Sequence, residues 1–272
     1  MVVVQNMAGE VKVLDLEGNE VESVELPPVF RVPVREDVIN RAYVALDSHR
    51  RSVQGRDPLA GERTTAEAGH PPTGRGISRI PRVKGERYSK SGMAGGVAST
   101  IHGRLPHPPR SEKVIRKEIN AKENRLALAS AIAATANTDL VSKRGHRFSR
   151  QLPIVVSSDV EKISKVRDLK RFLEAIGMGE EMKRIERRTK KSGSSISRLR
   201  RTGVGPLFVV SDGKSLHLTV KSMGGISVAR SSSLSVLDLA PGSSPGRLTI
   251  WSKDALSALT KNVQEVGARY AS

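Results

Sequence analysis

Apolar and polar positions alternate at the start of the chain in a pattern that predicts a two-stranded hairpin followed by a helix. Residues 11–16 and 21–26 each alternate like a strand with one buried face, and the turn residue Gly18 lies between them. From 35 to 48 the apolar side chains recur at the three- and four-residue spacing of a helix with one buried face. Those side chains are Val38, Ile39, Ala42, Ala45 and Leu46.

The second half of the chain alternates between helical and strand patterns. Residues 111–136 predict one long helix, which is polar at first and then rich in Ala and Leu. The apolar run 152–156 is typical of a central parallel strand. Ser164 is a candidate N-cap for the next helix, whose apolar residues step by three and four until Gly177 ends it.

Further strands and a last helix complete this pattern. Three apolar runs, 207–210, 234–239 and 248–251, are predicted strands, and Ser252 is predicted to cap one final helix. Strands that alternate with helices build a mostly parallel sheet with helices on both faces. We therefore predict an α/β fold, namely a three-layer α/β/α domain with a mostly parallel sheet and one long extended loop insertion.

The segment 49–111 differs from the rest because it shows neither a helical nor a strand period. It holds ten of the 24 Gly and seven of the 14 Pro, which interrupt any regular element. A loop of this length inside a compact domain is uncommon unless it has a function of its own. A flexible linker is the simplest alternative, but such linkers are rich in Gly and Ser and do not need twelve cations.

Positive charge is concentrated in two segments. The chain carries 46 Lys and Arg against 28 Asp and Glu, a formal net charge of +18. Segment 49–111 has twelve cations against four anions, and segment 183–201 has nine against one. RNA or DNA is the expected partner, because Arg forms paired hydrogen bonds with phosphate oxygens and stacks on bases. We predict that 49–110 is an extended RNA-binding loop rich in Gly, Pro and Arg, and that 1–48 and 111–272 form a discontinuous globular α/β domain.

Composition excludes several other classes of protein. Cys is absent, which excludes disulfide scaffolds, thiolate zinc sites and cysteine nucleophiles. No apolar stretch is long enough to span a membrane, and the first residues lack the pattern of a signal peptide. Aromatic residues make up 3% of the chain, which disfavours a base-stacking platform. We expect a cytoplasmic protein with no membrane partner that recognises folded RNA by shape and backbone.

Candidate catalytic and metal sites in the sequence are weak. Residues 213–215 resemble the end of a phosphate-binding loop, but Phe208 stands where that motif needs Gly. His102 and His107 could bind a metal in principle, but prolines separate them and no carboxylate pair is nearby. We predict no catalytic residue, no metal site and no cofactor, so the chain is not expected to be an enzyme. Two alternatives stay open: a free RNA- or DNA-binding regulator or chaperone, and a nucleotide-dependent α/β enzyme.

Eight short runs, distributed in order along nearly the whole chain, carry a family resemblance. The runs are 57–67, 73–76, 79–83, 103–109, 130–135, 144–146, 239–242 and 246–250. They resemble the family of large ribosomal subunit protein four (the L-four family) in its archaeal and eukaryotic form. The chain departs from related archaeal sequences at two places. Residues 190–198 are rich in Ser where those sequences have a Gly-, Lys- and Arg-rich element with an aromatic residue, and 231–233 are three Ser where they have a Pro-Gly pair.

The resemblance implies a structural constituent of the large ribosomal subunit. Its implied partners are large-subunit rRNA, neighbouring large-subunit ribosomal proteins and the nascent peptide, because the extended loop of this family lines the polypeptide exit tunnel. It also implies a role in early subunit assembly and a location in the ribosome, in the cytoplasm. The predicted loop tip is Thr73, Gly74, Arg75 and Gly76. The predicted RNA-binding residues are Arg50, Arg51, Arg56, Arg63, Arg75, Arg79, Arg82, Lys84, Arg87, Arg104, His107, Arg110, Arg144, His146, Arg147, Lys190, Lys191, Arg198, Arg200 and Arg201.

Overall fold

The chain divides into two compact units. We call Met1–Ser48 together with Lys117–Ser272 the sheet unit, and His49–Arg116 the basic unit. The basic unit takes its name from its composition: it contains 14 Lys and Arg residues but only five Asp and Glu. The computed structural model describes residues 9–68, 74, 76–87, 89–190 and 203–270.

The described residues form eight strands, six of which make one sheet in the sheet unit. They are β1 (Glu10–Leu14), β2 (Glu20–Glu25), β3 (Ala66–Glu67), β4 (Arg82–Val83), β5 (Ile154–Val156), β6 (Leu207–Val210), β7 (Ser227–Arg230) and β8 (Thr249–Ser252). The sheet has the order β2-β1-β5-β8-β6-β7, in which only the β1–β2 pair is antiparallel. The prediction of a mostly parallel sheet is therefore confirmed.

The described residues also form nine α-helices, all of them in the sheet unit. They are α1 (Glu36–Ser48), α2 (Ala121–Ala136), α3 (Thr138–Lys143), α4 (Val166–Ala175), α5 (Gly179–Lys190), α6 (Lys214–Lys221), α7 (Val236–Leu239), α8 (Lys253–Ser257) and α9 (Lys261–Tyr270). Short 3-10 turns occupy Pro28–Arg31, Ser158–Lys162, Ser231–Ser233 and Pro241–Ser243.

Helices cover both faces of the sheet, as the three-layer prediction requires. Successive residues of a strand point to opposite faces, so Val155 and Trp251 enter one core while Ile154 and Ile250 enter the other. The first core is completed by α1, α2, α7, α8 and α9, and the second by α4 and α6. The central strands are buried on both faces, which explains why their sequences are continuously apolar.

The predicted hairpin and first helix are confirmed. Strands β1 and β2 pair antiparallel with Glu10 opposite Glu25, and Gly18 adopts the left-handed φ of +82° in the turn. Helix α1 buries Val38 and Ile39 against α2 and the sheet, as its apolar face predicted.

The predicted helix over 111–136 is wrong in its first half, because only Ala121–Ala136 is helical. Seven of residues 111–120 are polar. Of the three apolar ones, Val114 is 86% exposed and Ile119 is only partly buried against the first core. A helix without an apolar face against a core gains too little to offset the cost of nucleating it. The second half is enclosed on nearly every side, and its small Ala side chains permit that close packing.

The predicted strand at 234–239 is also wrong, because residues 236–239 form the short helix α7. Ser235 and Asp238 make a capping box there, with the Ser235 hydroxyl 2.8 Å from the Asp238 carboxylate. This local capping outweighs the strand-like alternation of the run. The edge strand β7 was missed, because its sequence (Ser-Val-Ala-Arg) is short and only half-buried.

Two helix boundaries differ from the predictions. Helix α4 begins one residue later than Ser164 would place it, and the residue before it, Lys165, makes no side-chain capping bond. Ser252 caps a helix as predicted, accepting a hydrogen bond from the Ala255 amide, but that helix ends at Ser257. The predicted last helix is therefore two helices, α8 and α9. The apolar period runs across the break because Leu256, Leu259 and Val263 all enter the same core.

Candidate RNA interface

No described residue of the basic unit is buried. Its regular structure is a short antiparallel pair, in which Ala66 faces Val83 and Glu67 faces Arg82. On its other side β4 exchanges backbone hydrogen bonds with residues 92–95, including Val83 N–H to Met93 O at 2.9 Å. Backbone pairing, and not an apolar core, therefore holds this part of the unit in shape.

A close backbone crossing holds another part of the basic unit. A Cβ on Gly61, whose φ is +84°, would lie 2.5 Å from the carbonyl carbon of Gly103. A Cβ on Gly103 would lie 1.9 Å from the carbonyl oxygen of Val97. Only glycine permits these approaches, so the family-like runs 57–67 and 103–109 meet at a point that side chains would separate.

Four of the predicted RNA-binding cations of the basic unit are engaged within it. Arg82 donates hydrogen bonds to the carbonyls of Gly92, at 2.9 Å, and Ser78, at 3.4 Å. The other three form ion pairs with nearby carboxylates: Arg63 with Asp57 at 2.7 Å, Arg104 with Glu62 at 3.8 Å, and Lys84 with Glu67. These contacts give the four side chains a part in shaping the unit.

The other described cations of the basic unit face solvent. Arg51 is exposed, as are five arginines whose side chains make no ion pair or hydrogen bond within the described part of the chain. Those five are Arg50, Arg56, Arg79, Arg87 and Arg110, and His107 is exposed in the same way. An exposed guanidinium without an internal partner keeps its hydrogen-bond donors available for phosphate.

Several predicted positions lie outside the described residues. At the loop tip these are Thr73 and Arg75, whereas Gly74 and Gly76 are described and adopt φ values of +88° and +68°. Such values favour glycine and suit a close turn. In the second basic segment, Lys190 ends α5, and the positions outside the described residues are Lys191, Arg198, Arg200 and Arg201.

The predicted residues of the sheet unit are placed differently, since two of them are largely enclosed. The Arg144 guanidinium donates to the carbonyl oxygens of Pro241 and Ser244. His146 is buried, with its Nδ1 2.7 Å from a carboxylate oxygen of Glu181. Only Arg147 is exposed, and it pairs with Glu180 at 3.1 Å. The placement of His146 favours a role in holding the 144–147 segment against α5 over direct contact with RNA.

Glu181 is the centre of this enclosed cluster. Its carboxylate accepts hydrogen bonds from Arg184, at 2.6 and 2.8 Å, from His146 and from the Arg147 amide at 3.0 Å. Burial acts to raise its pKa, but these donors together lower the pKa to about 2. Burial lowers the pKa of His146 despite the adjacent carboxylate, so the neutral imidazole donates Nδ1–H to Glu181.

Sequence reasoning missed Arg247 as a structural centre, although it lies in one of the family-like runs. Its side chain is buried and donates to Gly205 O at 2.9 Å, Asp238 O at 2.8 Å and Ser227 Oγ at 2.9 Å. Burial lowers its pKa to about 10. The sequence shows only an Arg between Gly and Leu, because its three partners lie 9, 20 and 42 residues away along the chain.

The edge of the sheet where a doubly wound fold would hold a nucleotide is occupied by a carboxylate. Glu161 accepts hydrogen bonds from the Ser211 amide at 2.8 Å and the Ser252 hydroxyl at 2.6 Å, both at the carboxyl ends of parallel strands. A phosphate would need these donors and would be repelled by the carboxylate. The phosphate-loop resemblance at 213–215 is therefore not accompanied by an anion site.

Neither a metal site nor a membrane segment is found in the described part of the chain. None of its groups of His, Cys, Asp and Glu could hold a metal ion. Among the same residues, no helix is both long enough and apolar enough to cross a bilayer.

Comparison with known proteins identifies the family. A model described as the ribosomal protein L4/L1 family matches residues 24–262. The large ribosomal subunit protein uL4 of Aeropyrum pernix is 46% identical over 261 residues, covering 93% of each chain. That of Sulfolobus acidocaldarius is 41% identical over 260 residues, covering 94% of this chain and 95% of the relative. That of Methanopyrus kandleri is 38% identical over 264 residues, covering 94% and 100%. This chain belongs to the ribosomal protein L4/L1 family.

Membership of the L4/L1 family confirms the resemblance seen in the eight sequence runs. It also confirms that the chain is a structural ribosomal protein, not an enzyme, and that it is located in the ribosome, in the cytoplasm. The alternative of a nucleotide-dependent enzyme is thereby overturned, in agreement with the carboxylate at the carboxyl edge of the sheet.

The buried cluster of this L4/L1-family chain predicts a specific acid sensitivity. The pKa of Glu181 is lowered from 4.5 to about 2, so its contribution to stability is present above pH 4.5 and is lost as the pH falls towards 2. A shift of this size corresponds to about 3 kcal/mol. Because the pKa of His146 is also lowered, protonation of this residue in the unfolded chain further reduces the free energy of unfolding as the pH falls below 6.5.

Glu181→Gln should therefore lower the unfolding free energy at neutral pH by about 3 kcal/mol and flatten the decline of stability below pH 4.5. The measurement is chemical denaturation of the purified chain across a pH series. Glu180→Gln is the matched control, because that carboxylate is exposed and its loss should change stability little. Identical pH profiles for Glu181→Gln and wild type would contradict the assignment.

Proposed function

We propose that this structural ribosomal protein binds large-subunit rRNA through its basic unit, contributes to early assembly of the subunit, and lines the polypeptide exit tunnel with its loop. One observation carries the proposal. A compact unit of 68 residues, His49–Arg116, has no buried residue among those described, and it exposes five arginines without an internal partner. A polypeptide of this kind gains little from folding on itself and much from contact with a polyanion.

The division of the cations into two groups suggests how the contact works. The engaged residues, such as Arg82, hold the backbone of the basic unit in place. The free residues, such as Arg79, keep their donors available for phosphate, and contact with RNA then stabilises the backbone arrangement that the engaged residues favour. Phosphate contacts made in this way position the protein on folded RNA without reading base sequence.

The loop tip is the part of the proposal that concerns the nascent peptide. Gly74 and Gly76 flank Arg75, and their left-handed φ values allow the backbone to turn sharply there. We propose that this tip lies at the tunnel wall, as the family resemblance implies, and that Arg75 meets rRNA or the emerging chain there. Neighbouring large-subunit proteins complete the proposed set of partners.

Removal of free arginines should reduce the salt dependence of rRNA binding. Each phosphate contact contributes roughly 0.7–0.9 to the slope of log affinity against log salt, because binding releases counterions. Replacing Arg56, Arg79 and Arg110 together by Ala should therefore lower that slope by about 2 to 3. The measurement is filter binding of the purified chain to large-subunit rRNA over a series of salt concentrations.

The matched control removes the same charge from the sheet unit. Replacing the exposed α4 residues Arg167, Lys170 and Arg171 by Ala should leave the slope nearly unchanged. An equal fall in both triple variants would mean that net charge alone attracts the RNA, which contradicts a specific role of the basic unit.

Reversing the charge at the tip should affect the tunnel without blocking assembly. With Arg75→Glu as the sole source of this protein, we expect a normal yield of large subunits but altered ribosome stalling and altered sensitivity to tunnel-binding antibiotics. Ribosome profiling and growth inhibition measure the two effects. A normal yield with unchanged stalling and sensitivity would remove the tunnel role, and a collapse of subunit yield would make the tip an assembly anchor instead.

A further inference from the structure

A cleft of about 790 Å³ in the sheet unit carries opposite charges on its two walls. One wall is the first turn of α1, with Glu36 and Asp37. The other is formed by Lys143 and Arg144 at the end of α3. Its volume lies within the range of roughly 300–1,000 Å³ that is typical of ligand-binding clefts.

The cleft is already formed in the free chain. Arg144 ties the end of α3 to the 241–244 turn through the carbonyls of Pro241 and Ser244. The Ser243 hydroxyl of the same turn donates to Asn40 Oδ1 on α1 at 2.9 Å, which links the two walls. A partner would therefore meet fixed walls and lose little binding energy to ordering them.

Among the described residues, the basic wall has no carboxylate partner. The Arg144 guanidinium donates to neutral carbonyls, and burial together with the nearby Arg184 charge lowers its pKa. Lys143 is exposed and makes no ion pair within the described residues. A carboxylate entering the cleft would reduce the repulsion between the Arg144 and Arg184 guanidinium groups. It would also give Lys143 and Arg144 an ion-pair partner.

The acidic wall argues against RNA as the occupant. Glu36 is exposed and has no ion pair within the part of the chain that the structure describes, whereas Asp37 is paired with Arg35 at 2.7 Å. A nucleic acid places a negative charge at every phosphate, so a strand lying across the cleft would be repelled by Glu36. A polypeptide can instead supply one charge of each sign at a short spacing.

We infer that this cleft binds a polypeptide segment of a neighbouring large-subunit protein, with an acidic side chain against Lys143 and Arg144 and a basic side chain against Glu36. The inference rests on the proposed function only in that the chain must be assembled into the large subunit. No surface of the basic unit takes part in it.

The test reverses the polarity of the cleft while keeping the net charge. In cells that carry only the double variant Glu36→Lys with Lys143→Glu, salt-washed large subunits are analysed by quantitative mass spectrometry. One neighbouring protein should fall several-fold in stoichiometry, while the chain itself and the rRNA stay at wild-type levels. Unchanged stoichiometry of every protein would overturn the inference, whereas absence of the chain itself from the subunit would count against the proposed function.

Two controls separate the interface from damage to folding. The pair Glu36→Gln with Lys143→Gln also keeps the net charge, avoids an unfavourable charge at either helix end, and should deplete the same protein. The pair Lys170→Glu with Glu174→Lys makes the same kind of exchange on the exposed face of α4 and should deplete nothing. Depletion by the α4 exchange as well would overturn the inference.

A photoreactive amino acid at position 143 then identifies the class of occupant. Irradiation of assembled subunits should link it to one protein, at a segment that contains both an acidic and a basic residue. Reversing those two charges in the linked protein should restore its stoichiometry on the charge-reversed subunits. Links to rRNA, or the absence of any link, would contradict a protein occupant.

Discussion

The proposed function depends on an imbalance of charge in a part of the chain whose described residues form no apolar core. The basic unit carries 14 cations against five anions, and none of its described residues is buried. Most of its carboxylates form ion pairs within the unit, as Asp57 does with Arg63, whereas arginines such as Arg79 have no partner among the described residues. Hydrophobic burial cannot stabilise such a unit, so contact with phosphate is the favourable interaction still available to it.

Two arginines of the sheet unit are used in the opposite way. Arg247 is buried there and Arg184 is half-buried. Both donate hydrogen bonds to backbone carbonyls, and Arg184 also pairs with the Glu181 carboxylate. These contacts join separate segments of the sheet unit, such as α7, β7 and the chain before β6, because a guanidinium can donate to several chain segments at once. Arginine therefore serves as a structural crosslink at some positions and as an available phosphate ligand at others.

Much of the sheet unit was predictable, because apolar period alone determines which residues face a core. The hairpin, α1 and β6 follow directly from it. The errors arose where a local contact outweighed the period, as at the Ser235–Asp238 capping box, or where too few side chains reach a core to support a helix, as at 111–120. The burial of His146 could not be predicted, because its partner Glu181 is 35 residues away and nothing local marks the pair.

For the interface, the sequence predicted which segment is basic but not which of its arginines are free. That distinction depends on backbone carbonyls and carboxylates brought close by the fold, such as the Gly92 carbonyl that accepts from Arg82. Charge counting treats Arg79 and Arg82 alike, although Arg79 has its hydrogen-bond donors available for RNA and Arg82 donates to backbone carbonyls.

Amide hydrogen exchange shows whether the basic unit relies on RNA for its stability. Exchange is measured on the purified chain alone and in complex with large-subunit rRNA at low salt. We expect rapid exchange throughout 49–116 in the free chain, slow exchange in β5, β6 and β8, and strong protection of 49–116 on binding. Equal protection of 49–116 with and without rRNA would mean that the basic unit is stable without RNA.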